Sequence, residues 1–340
     1  MHMIDMSKYN YRTDLVLDTI SGEYKDKIHQ EENGISVDKI DITDKNKELF
    51  HKSVGKYITI TFQDITDKNN FKNVENILTR ELKNLLHEKG LQDKTILIVG
   101  LGNEKSTPDS LGPKTINHIL VTRHLFMLGD VEEGYNNVSA FQPQVTGITG
   151  IETSQIIESL VKTISADVLI VIDALASASI ERVNKTIQIT DTGIHPGSGV
   201  GNNRKEISEK TLKIPVIAIG VPTIVDAATI VYDTLQCMFQ QISYKIDNMN
   251  NSKLKLIMEK NQNYKEHKNN LTPEQKEDLL GIVGTLDDQS LKDLVYEVLS
   301  PIDYNLMVTP KEVDFMIEKL SLLLANSLNK SLHKKLNSTN

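Results

Sequence analysis

Three short runs of almost uninterrupted aliphatic residues constrain the fold of this 340-residue chain more than any other feature. They are Thr95–Leu101, Asp167–Ala174 and Ile214–Val221, and a fourth β-branched run, Tyr57–Phe62, is similar. Strands that are apolar on both faces lie inside a sheet that helices cover. Helical patterns lie between and after these runs, at residues 72–89, 112–128, 152–164 and 225–242. The pattern predicts an α/β fold with a mostly parallel central sheet and helices on both faces.

Weaker patterns predict further strands of this sheet and a helical region after it. Two alternating segments, Val37–Thr43 and Lys185–Thr190, predict edge strands or a hairpin. From about residue 244 the chain becomes rich in Asn and Lys and shows only helical periodicity. We therefore expect a C-terminal helical extension over residues 244–340 that packs on the α/β domain, with a frayed end from Asn329.

Charge and composition exclude several classes of protein. The formal net charge is −8, whereas a surface that binds nucleic acid directly needs clustered Lys and Arg. The sequence has no long uncharged apolar run, and residues 1–11 lack the basic start and apolar middle of a secretory signal. We therefore expect a cytoplasmic protein with no membrane partner. The single cysteine, Cys237, lies in an apolar helical stretch and is expected to act as a small hydrophobe.

Two carboxylates follow core strands, at the places where α/β folds carry their reactive groups. Asp109 lies in the glycine-containing loop after the first aliphatic run, just before a predicted helix, and Asp173 follows the run Leu169–Ile172. Carboxylates that lie close together can share one proton. One member can then act as a base toward water while the other donates a proton to the substrate.

From position alone, each acid also has a structural alternative. Asp109 or its neighbour Ser110 could cap the following helix, and Asp173 could be a buried acid that accepts hydrogen bonds from loop amides. A carboxylate-rich open site formed by Asp109, Asp173 and His195 could also hold a divalent metal ion that activates water. These residues alone do not establish that the protein binds a cofactor.

Three further residues are candidates for a supporting role. Asp191 and His195 lie in the segment Asp191–Gly201, which has the glycine density of a loop that approaches a ligand closely. A lone His in such a loop more often supports loop hydrogen bonds, and Glu152 at the start of a predicted helix also suits the positive end of the helix dipole. The chain contains no HExxH, CxxC or GxSxG pattern, so carboxylate chemistry is what remains.

Many ordered segments of the chain resemble one family, the germination proteases of spore-forming bacteria. They cover most of residues 11–242 and one island near residue 305. The matching segments are Tyr11–Leu15, Gly100–Asn103, Thr107–Pro113, Val121–His124, Val131–Gly134, Gly147–Ser154, Ile172–Ala176, Ser179–Asn184, Asp191–Asn202, Ile214–Asp226 and Asn305–Glu312.

This resemblance implies an atypical endopeptidase that degrades small acid-soluble spore proteins, which coat DNA in the spore core, when germination begins. The family is tetrameric, is made in the forespore as an inactive precursor, and removes its own N-terminal propeptide. Its essential aspartates correspond to Asp109 and Asp173. Its processing position corresponds to the bond between Asp14 and Leu15, with an acidic residue before the cut and an apolar one after it. The expected domains are then a propeptide (1–14), a peptidase domain (15–243) and the extension (244–340).

The resemblance also bears on fold and on metal chemistry. The family fold is similar to that of hydrogenase-maturation peptidases, in which acids at comparable positions bind metal, and germination proteases have been classed both as aspartic and as metallo-type. The alternatives are therefore a metal-dependent peptidase that uses Asp109 and Asp173, or a non-catalytic ligand-binding protein of the same fold. One departure from the family lies beside the site, because Ala178 replaces an Arg that commonly follows the second aspartate.

Overall fold

The computed structural model describes residues 13–19, 24, 26–129, 131–197, 205–249, 267–299 and 306–337. Within them the chain divides into two compact units. The larger unit takes its described residues from Arg12–Val225 and Thr309–Asn340, and the smaller unit from Asp226–Val308. Of the predicted propeptide only Thr13 and Asp14 are described, and the predicted helix at 252–261 lies outside the described residues.

Nine strands and eleven α-helices are present among the described residues. The strands are β1 (Ile28–Glu32), β2 (Ile35–Ile42), β3 (Gly55–Thr61), β4 (Ile96–Gly100), β5 (Val138–Phe141), β6 (Val168–Ser177), β7 (Thr186–Thr190), β8 (Val216–Asp226) and β9 (Met307–Val308). The helices are α1 (Lys47–Phe50), α2 (Lys68–Glu88), α3 (Leu111–Ile116), α4 (Arg123–Leu128), α5 (Thr146–Thr149), α6 (Thr153–Ile164), α7 (Glu209–Leu212), α8 (Ala227–Asp247), α9 (Pro273–Leu280), α10 (Asp288–Leu299) and α11 (Val313–Leu332).

A mixed sheet in the order β1-β2-β3-β7-β8-β6-β4-β5 forms the centre of the larger unit. The α/β class is confirmed, but the predicted mostly parallel sheet is wrong in one respect. Strands β8, β6, β4 and β5 are parallel to one another, whereas β1, β2, β3 and β7 pair antiparallel. Strand β7, predicted at an edge or in a hairpin, lies inside the sheet between β3 and β8. The connection from β6 to β7 is too short for a helical crossover, so β7 returns in the opposite direction.

Alternation along the strands directs side chains to two apolar layers. In β6, Ile170 and Ile172 face the layer that contains the apolar sides of α2 and α11. Leu169 and Val171 face the other layer, which contains α6. Successive residues of a strand point to opposite faces, so Asp173 points to the α6 face. Helices therefore cover both faces of the sheet, as predicted.

Helix α11 is part of the core of the larger unit, although it lies in the stretch expected as a helical extension. Its Leu320 and Leu324 are fully buried, and the Nζ atom of Lys330 lies 2.5 Å from Oε1 of Glu75 on α2. Helix α11 continues to Leu332, and the following His333 is completely buried. The stretch where fraying was expected thus contains ordered, buried residues.

The smaller unit is mainly helical. Val295 of α10 packs against Ala228 of α8, and the free Cys237 on α8 is half-buried. No helix among the described residues of the chain is long and apolar enough to cross a membrane.

Candidate active site

Asp173 lies within β6, where the run of large aliphatic residues ends. Its neighbour on β8 is Gly220, and its side chain is buried on the α6 face. The Oδ1 atom accepts a hydrogen bond from the Ala174 N–H over 2.9 Å. The strand therefore holds this carboxylate in a fixed position toward the carboxyl ends of the parallel strands.

Asp109 lies at the end of a short 3₁₀ helix, Thr107–Asp109, in the loop after β4. The Asn103 N–H donates to both the carbonyl oxygen of Asp109, over 3.0 Å, and its Oδ2 atom, over 2.9 Å. Gly102 has a φ of +113°, and a Cβ there would lie 2.0 Å from the Asp109 carbonyl oxygen. Only glycine allows this approach, so the loop is built around Asp109.

The helix-cap alternative predicted for this position does not hold for Ser110. Ser110 lies directly before α3 but makes no side-chain capping hydrogen bond to it. The Asp109 carboxylate accepts a hydrogen bond from the loop amide of Asn103. Ser110 is therefore not a side-chain cap of α3, and the catalytic role of Asp109 stays a prediction.

The loop that carries Asp109 is fastened to the strand that carries Asp173. The Leu101 N–H donates to the Ile172 carbonyl oxygen over 2.8 Å, and a Cβ on Gly112 would lie 2.7 Å from that same oxygen. Both ends of the loop thus contact the residue that directly precedes Asp173. Sequence reasoning placed both acids at strand ends, which is wrong for Asp173, because β6 continues past it to Ser177 beside β8. The loop of Asp109 adjoins β6 directly before Asp173.

The segment that contains the bond between Asp14 and Leu15 is docked beside this edge. The Asp14 N–H donates to the Ala176 carbonyl oxygen over 3.1 Å, and the Ala176 N–H donates to Asp14 Oδ2 over 2.9 Å. The Gln188 side chain donates through Nε2 to the Asp14 carbonyl oxygen over 3.1 Å and accepts from the Val16 N–H over 2.7 Å. Leu15 and Val16 are fully buried.

A basic side chain lies close to the docked segment. Lys52 donates through Nζ to the Thr13 carbonyl oxygen over 2.8 Å. Burial lowers the pKa of Lys52, and the negative charges of Asp14 and Asp18 partly oppose that effect. The positive charge of Lys52 is therefore placed where it can stabilise an acidic residue that precedes the bond.

Asp18 holds the loop that follows β6. Its carboxylate pairs with Arg182 Nε at 2.7 Å and accepts from the Ala178 N–H at 2.8 Å and the Ser177 hydroxyl at 3.1 Å. The Thr13 hydroxyl donates to the same carboxylate over 2.5 Å. Ala178 thus contributes a main-chain contact to Asp18, and Arg182 contributes a guanidinium.

Asp191 is held by a main-chain hydrogen bond and an ion pair. Its Oδ1 atom accepts from the Lys56 N–H over 2.7 Å, and its Oδ2 atom lies 2.5 Å from Lys89 Nζ. It follows Thr190, which pairs with Ala218, so it lies toward the amino ends of the parallel strands. This is the end of the sheet away from Asp173.

The other two supporting candidates lie in loops. His195 is exposed, with its Nε2 atom 3.9 Å from Glu206 Oε1, and residues 198–204 of the glycine-rich segment lie outside the described residues. Glu152 directly precedes α6, in the short turn that follows α5. Its Oε1 atom is buried and makes no hydrogen bond within the described part of the chain. A supporting role for either residue stays a prediction.

A catalytic zinc ion would need more protein ligands than the two acids provide. Among the described residues, no group of three His, Cys, Asp or Glu side chains is arranged to hold a metal ion. Catalytic zinc sites keep three protein ligands in addition to water. The described residues therefore do not fit a metal centre of that kind.

Sequence reasoning did not identify Lys52, Asp18 or Gln188. For Gln188 the sequence held a signal, since its side-chain amide interrupts the β-branched pattern at the centre of the strand Thr186–Thr190. A buried amide needs hydrogen-bond partners, which marks such a position. Lys52 and Asp18 had none, since each acts on a segment far away in sequence.

Comparisons with known proteins identify the family. The sequence model of the family described as Germination protease matches residues 9–340. The chain is 44% identical to germination proteases from Bacillus cereus (strain AH187) and Bacillus anthracis (strain CDC 684 / NRRL 3495), and 43% identical to one from Bacillus pumilus (strain SAFR-032). Each match covers 99% of this chain and 97% of the relative.

Among solved structures, a NiFe hydrogenase maturation protease from Thermococcus kodakarensis KOD1 is similar at 15% identity and a TM-score of 0.26. That match covers 38% of this chain and 74% of the other, and it is too weak to carry an argument. The sequence matches to the family are nearly complete in both directions. The chain therefore belongs to the germination protease family and is a protease of spore germination.

Proposed function

We propose that this chain is an endopeptidase made as a precursor, which activates itself by cutting between Asp14 and Leu15 with Asp109 and Asp173 as its catalytic carboxylates. The mature enzyme then starts at Leu15 and degrades small acid-soluble spore proteins when germination begins. It acts in the cytoplasm of the forespore and the spore core, as the family resemblance implies.

The observation that supports this proposal most is the docking of the segment around Asp14. Main-chain atoms on both sides of the proposed bond are hydrogen-bonded to the protein, and the Asp14 carboxylate accepts from Ala176, three residues after Asp173. A propeptide junction held in this way blocks the site and is at the same time its first substrate. Proximity of that kind makes hydrolysis within one chain effective.

The chemistry needs only the two carboxylates and water. The ionised member of the pair removes a proton from water as the water oxygen attacks the Asp14 carbonyl carbon. The protonated member donates its proton to the Leu15 nitrogen as the C–N bond breaks. The pair still holds one proton after the cut, because the base has gained the water proton and the acid has lost its own. The products are a carboxyl group on Asp14, which gives its proton to solvent or to the new amine, and a new amino terminus at Leu15.

Association into a homotetramer is part of the proposal, and one surface supports it. Leu120, Val121, Phe126, Met127 and Leu128 are exposed together along α4 and the turn before it, and Met127 is 78% exposed. Contiguous exposed apolar surface of this kind marks contacts between proteins. Sedimentation of the purified chain tests the state, and a monomer at micromolar concentration contradicts it.

Intact-mass analysis of the full chain tests the function. After mild acidification, the wild-type chain should lose residues 1–14 and then cleave a peptide copied from a small acid-soluble spore protein. Asp109→Asn and Asp173→Asn should each stay full length and inactive. The exposed Asp26 provides the control. Asp26→Asn removes the same charge just before β1, which lies five strands away from β6 in the sheet.

Two results would contradict parts of this proposal. If both variants fold and still cut the chain, the acids are not catalytic and a binding role becomes the better hypothesis. If a chelator stops the wild-type reaction and added divalent metal restores it, the metal-dependent alternative replaces the proton-sharing pair. Cleavage that is unchanged by the chelator supports the pair.

A further inference from the structure

Gln188 contacts the main chain on both sides of the bond between Asp14 and Leu15. Its Nε2 atom donates to the Asp14 carbonyl oxygen over 3.1 Å, and its Oε1 atom accepts from the Val16 N–H over 2.7 Å. The carbonyl belongs to the proposed scissile bond itself, and the N–H belongs to the next peptide bond. One side chain therefore fixes the orientation of the scissile peptide group.

The sheet holds Gln188 in place for these contacts. Gln188 lies at the centre of β7, pairs with Thr59 on β3 and with Gly220 on β8, and is buried. Each polar atom of its amide has a partner in the docked segment, so rotation of the amide would break both hydrogen bonds. A polar group that is buried and fully paired in this way holds a specific geometry.

Gln188, Gly220 and Asp173 are direct neighbours across three adjacent strands. Gly220 is the neighbour of both Gln188 and Asp173, so the two side chains point to the same face of the sheet. Two strand spacings separate their Cα atoms, which is about 10 Å. The Leu175 side chain occupies the space over Gly220, where a Cβ at position 220 would meet it.

We propose that Gln188 binds the scissile carbonyl group and stabilises the negative charge that grows on its oxygen during cleavage. The inference rests on the proposed function, since it takes the bond between Asp14 and Leu15 as the one that is cut. As water attacks, the carbonyl oxygen gains charge, and the Nε2–H group donates to it more strongly than in the ground state. Oε1 keeps the peptide in register by holding the N–H of the second residue after the cut.

Because both contacts go to main-chain atoms, Gln188 does not read side chains. It suits an extended segment of any sequence that has a free N–H two residues after the acidic residue. The charge preference before the cut would then come from the surroundings of Asp14, which include Lys52 and the Ala176 N–H. Main-chain binding by Gln188 and acid recognition by its neighbours are separate contributions.

A purely structural role makes a different prediction from this one. If Gln188 only anchors the precursor segment, its loss frees the segment, and cleavage slows at every pH by the same factor or does not slow. If Gln188 donates to the reacting carbonyl, the reaction depends on a proton at that position. Cleavage of a separate spore-protein peptide by the mature enzyme separates the two cases, because loss of a precursor anchor leaves kcat on that peptide unchanged, whereas loss of a donor to the reacting carbonyl lowers it.

The experiment measures self-cleavage of the full chain by intact mass as a function of pH, with each variant expressed as a ratio to wild type. Gln188→Glu keeps size and acceptor but has no donor when ionised, so cleavage should fall by about 100-fold. Acidification protonates the new carboxyl group, and the ratio should then rise toward one. Gln188→Leu should be slow by a similar factor at every pH.

Gln30 provides the matched control, because it is exposed on the edge strand β1 and Gln30→Glu makes the same chemical change. Its ratio should stay near one at all pH values. A Gln188→Glu ratio that is low but independent of pH would overturn the inference in favour of a structural anchor.

A second variant keeps the test decisive if Gln188 variants fold poorly. Val16 is the first residue of a 3₁₀ helix, a position that accepts proline, so Val16→Pro removes the N–H that Gln188 accepts from. Val16→Pro should slow cleavage while the Gln188 side chain stays unchanged. A wild-type cleavage rate for Val16→Pro would overturn the inference.

These outcomes are distinct from failure of the proposed function. If the wild-type chain never loses residues 1–14, or if Asp173→Asn still cuts, the proposed function is wrong. If wild type cuts after Asp14 and needs Asp173, but Gln188→Leu cuts at the wild-type rate, only the role of Gln188 is wrong.

Discussion

Arg182 Nε lies 2.7 Å from Asp18 Oδ1, and this pair joins the segment after the proposed cut to the loop after β6. The Asp18 side chain is 2% exposed and the Arg182 side chain 28%. The Ala178 N–H donates to the other carboxylate oxygen over 2.8 Å. Because Asp18 lies on the mature side of the cut, cleavage leaves this connection intact.

We expect Asp18→Asn to destabilise the chain. Removing one partner of a buried ion pair costs about 3–5 kcal/mol, and the partial exposure of Arg182 reduces the expected loss to about 2 kcal/mol. Urea unfolding of the full chain measures the change. Asp44→Asn is the control, since the pair of Asp44 with Lys47 is exposed and its loss should change stability by less than about 0.5 kcal/mol. Equal effects of the two variants would contradict a special role for Asp18.

Gly102→Ala should slow cleavage by about 100-fold while the fold remains. A Cβ at position 102 would lie 2.0 Å from the Asp109 carbonyl oxygen, so the loop must move and carry the Asp109 carboxylate with it. Misplacing a catalytic group by about 1 Å costs about 100-fold in rate. Circular dichroism checks the fold, and intact mass follows the loss of residues 1–14.

Gly147→Ala is the control for that change, because nothing lies within 4 Å of a Cβ placed there. This variant should cleave at the wild-type rate. Wild-type cleavage by Gly102→Ala would show that the position of Asp109 is not critical.

The position of Asp109 in a loop after a core strand could be predicted from local rules, whereas the predicted strand end at Asp173 is wrong, since β6 continues to Ser177. An aliphatic run defines a buried strand, and the residues that follow it lie at the carboxyl edge of the sheet. Asp109 and Asp173 both follow such runs, but only Asp109 lies in a loop, and that loop meets β6 where Leu101 contacts Ile172. Position alone left each with a structural alternative, and only the loop contacts argue against helix capping at Ser110.

The docking of Asp14 and the interior position of β7 could not be predicted in the same way. Asp14 contacts Ala176 and Gln188 across more than 160 positions in sequence, and no local pattern encodes such pairs. Strand β7 has the alternation of an edge strand, yet β3 covers its open side. Pairing over long distances depends on the packing of the whole sheet, which a short window does not contain.

His333 makes the free energy of unfolding depend on pH. The Asn136 N–H donates to its Nδ1 atom over 3.2 Å, and its Nε2 atom lies 3.3 Å from the Leu120 carbonyl oxygen, so the neutral ring with a proton on Nε2 fits the site. Burial lowers the pKa of His333, and the hydrogen bond to Leu120 only partly opposes this. An unfolded histidine has a pKa of about 6.5.

Below that pH the unfolded chain binds a proton that the folded chain resists, so stability is present above about pH 6.5 and is lost as the pH falls toward the folded pKa. The expected slope is up to about 1.4 kcal/mol per pH unit, measured by urea unfolding between about pH 7.5 and 5. His333→Gln keeps one donor and one acceptor and should lack this slope. Equal slopes for variant and wild type would contradict the assignment.

Helix α11 should support the site as well as the core. Leu324 is fully buried, and α11 contacts both α3 and the 3₁₀ helix Thr107–Asp109. Leu324→Ala should therefore destabilise the larger unit by about 2–5 kcal/mol and slow cleavage, because a cavity behind α3 loosens the loop that carries Asp109. Leu322→Ala on the same helix is the control, since Leu322 is 38% exposed and its loss should have little effect on either quantity. If the two variants behave alike, α11 is a loosely attached extension, and the support for Asp109 comes from the loop contacts of Asn103 alone.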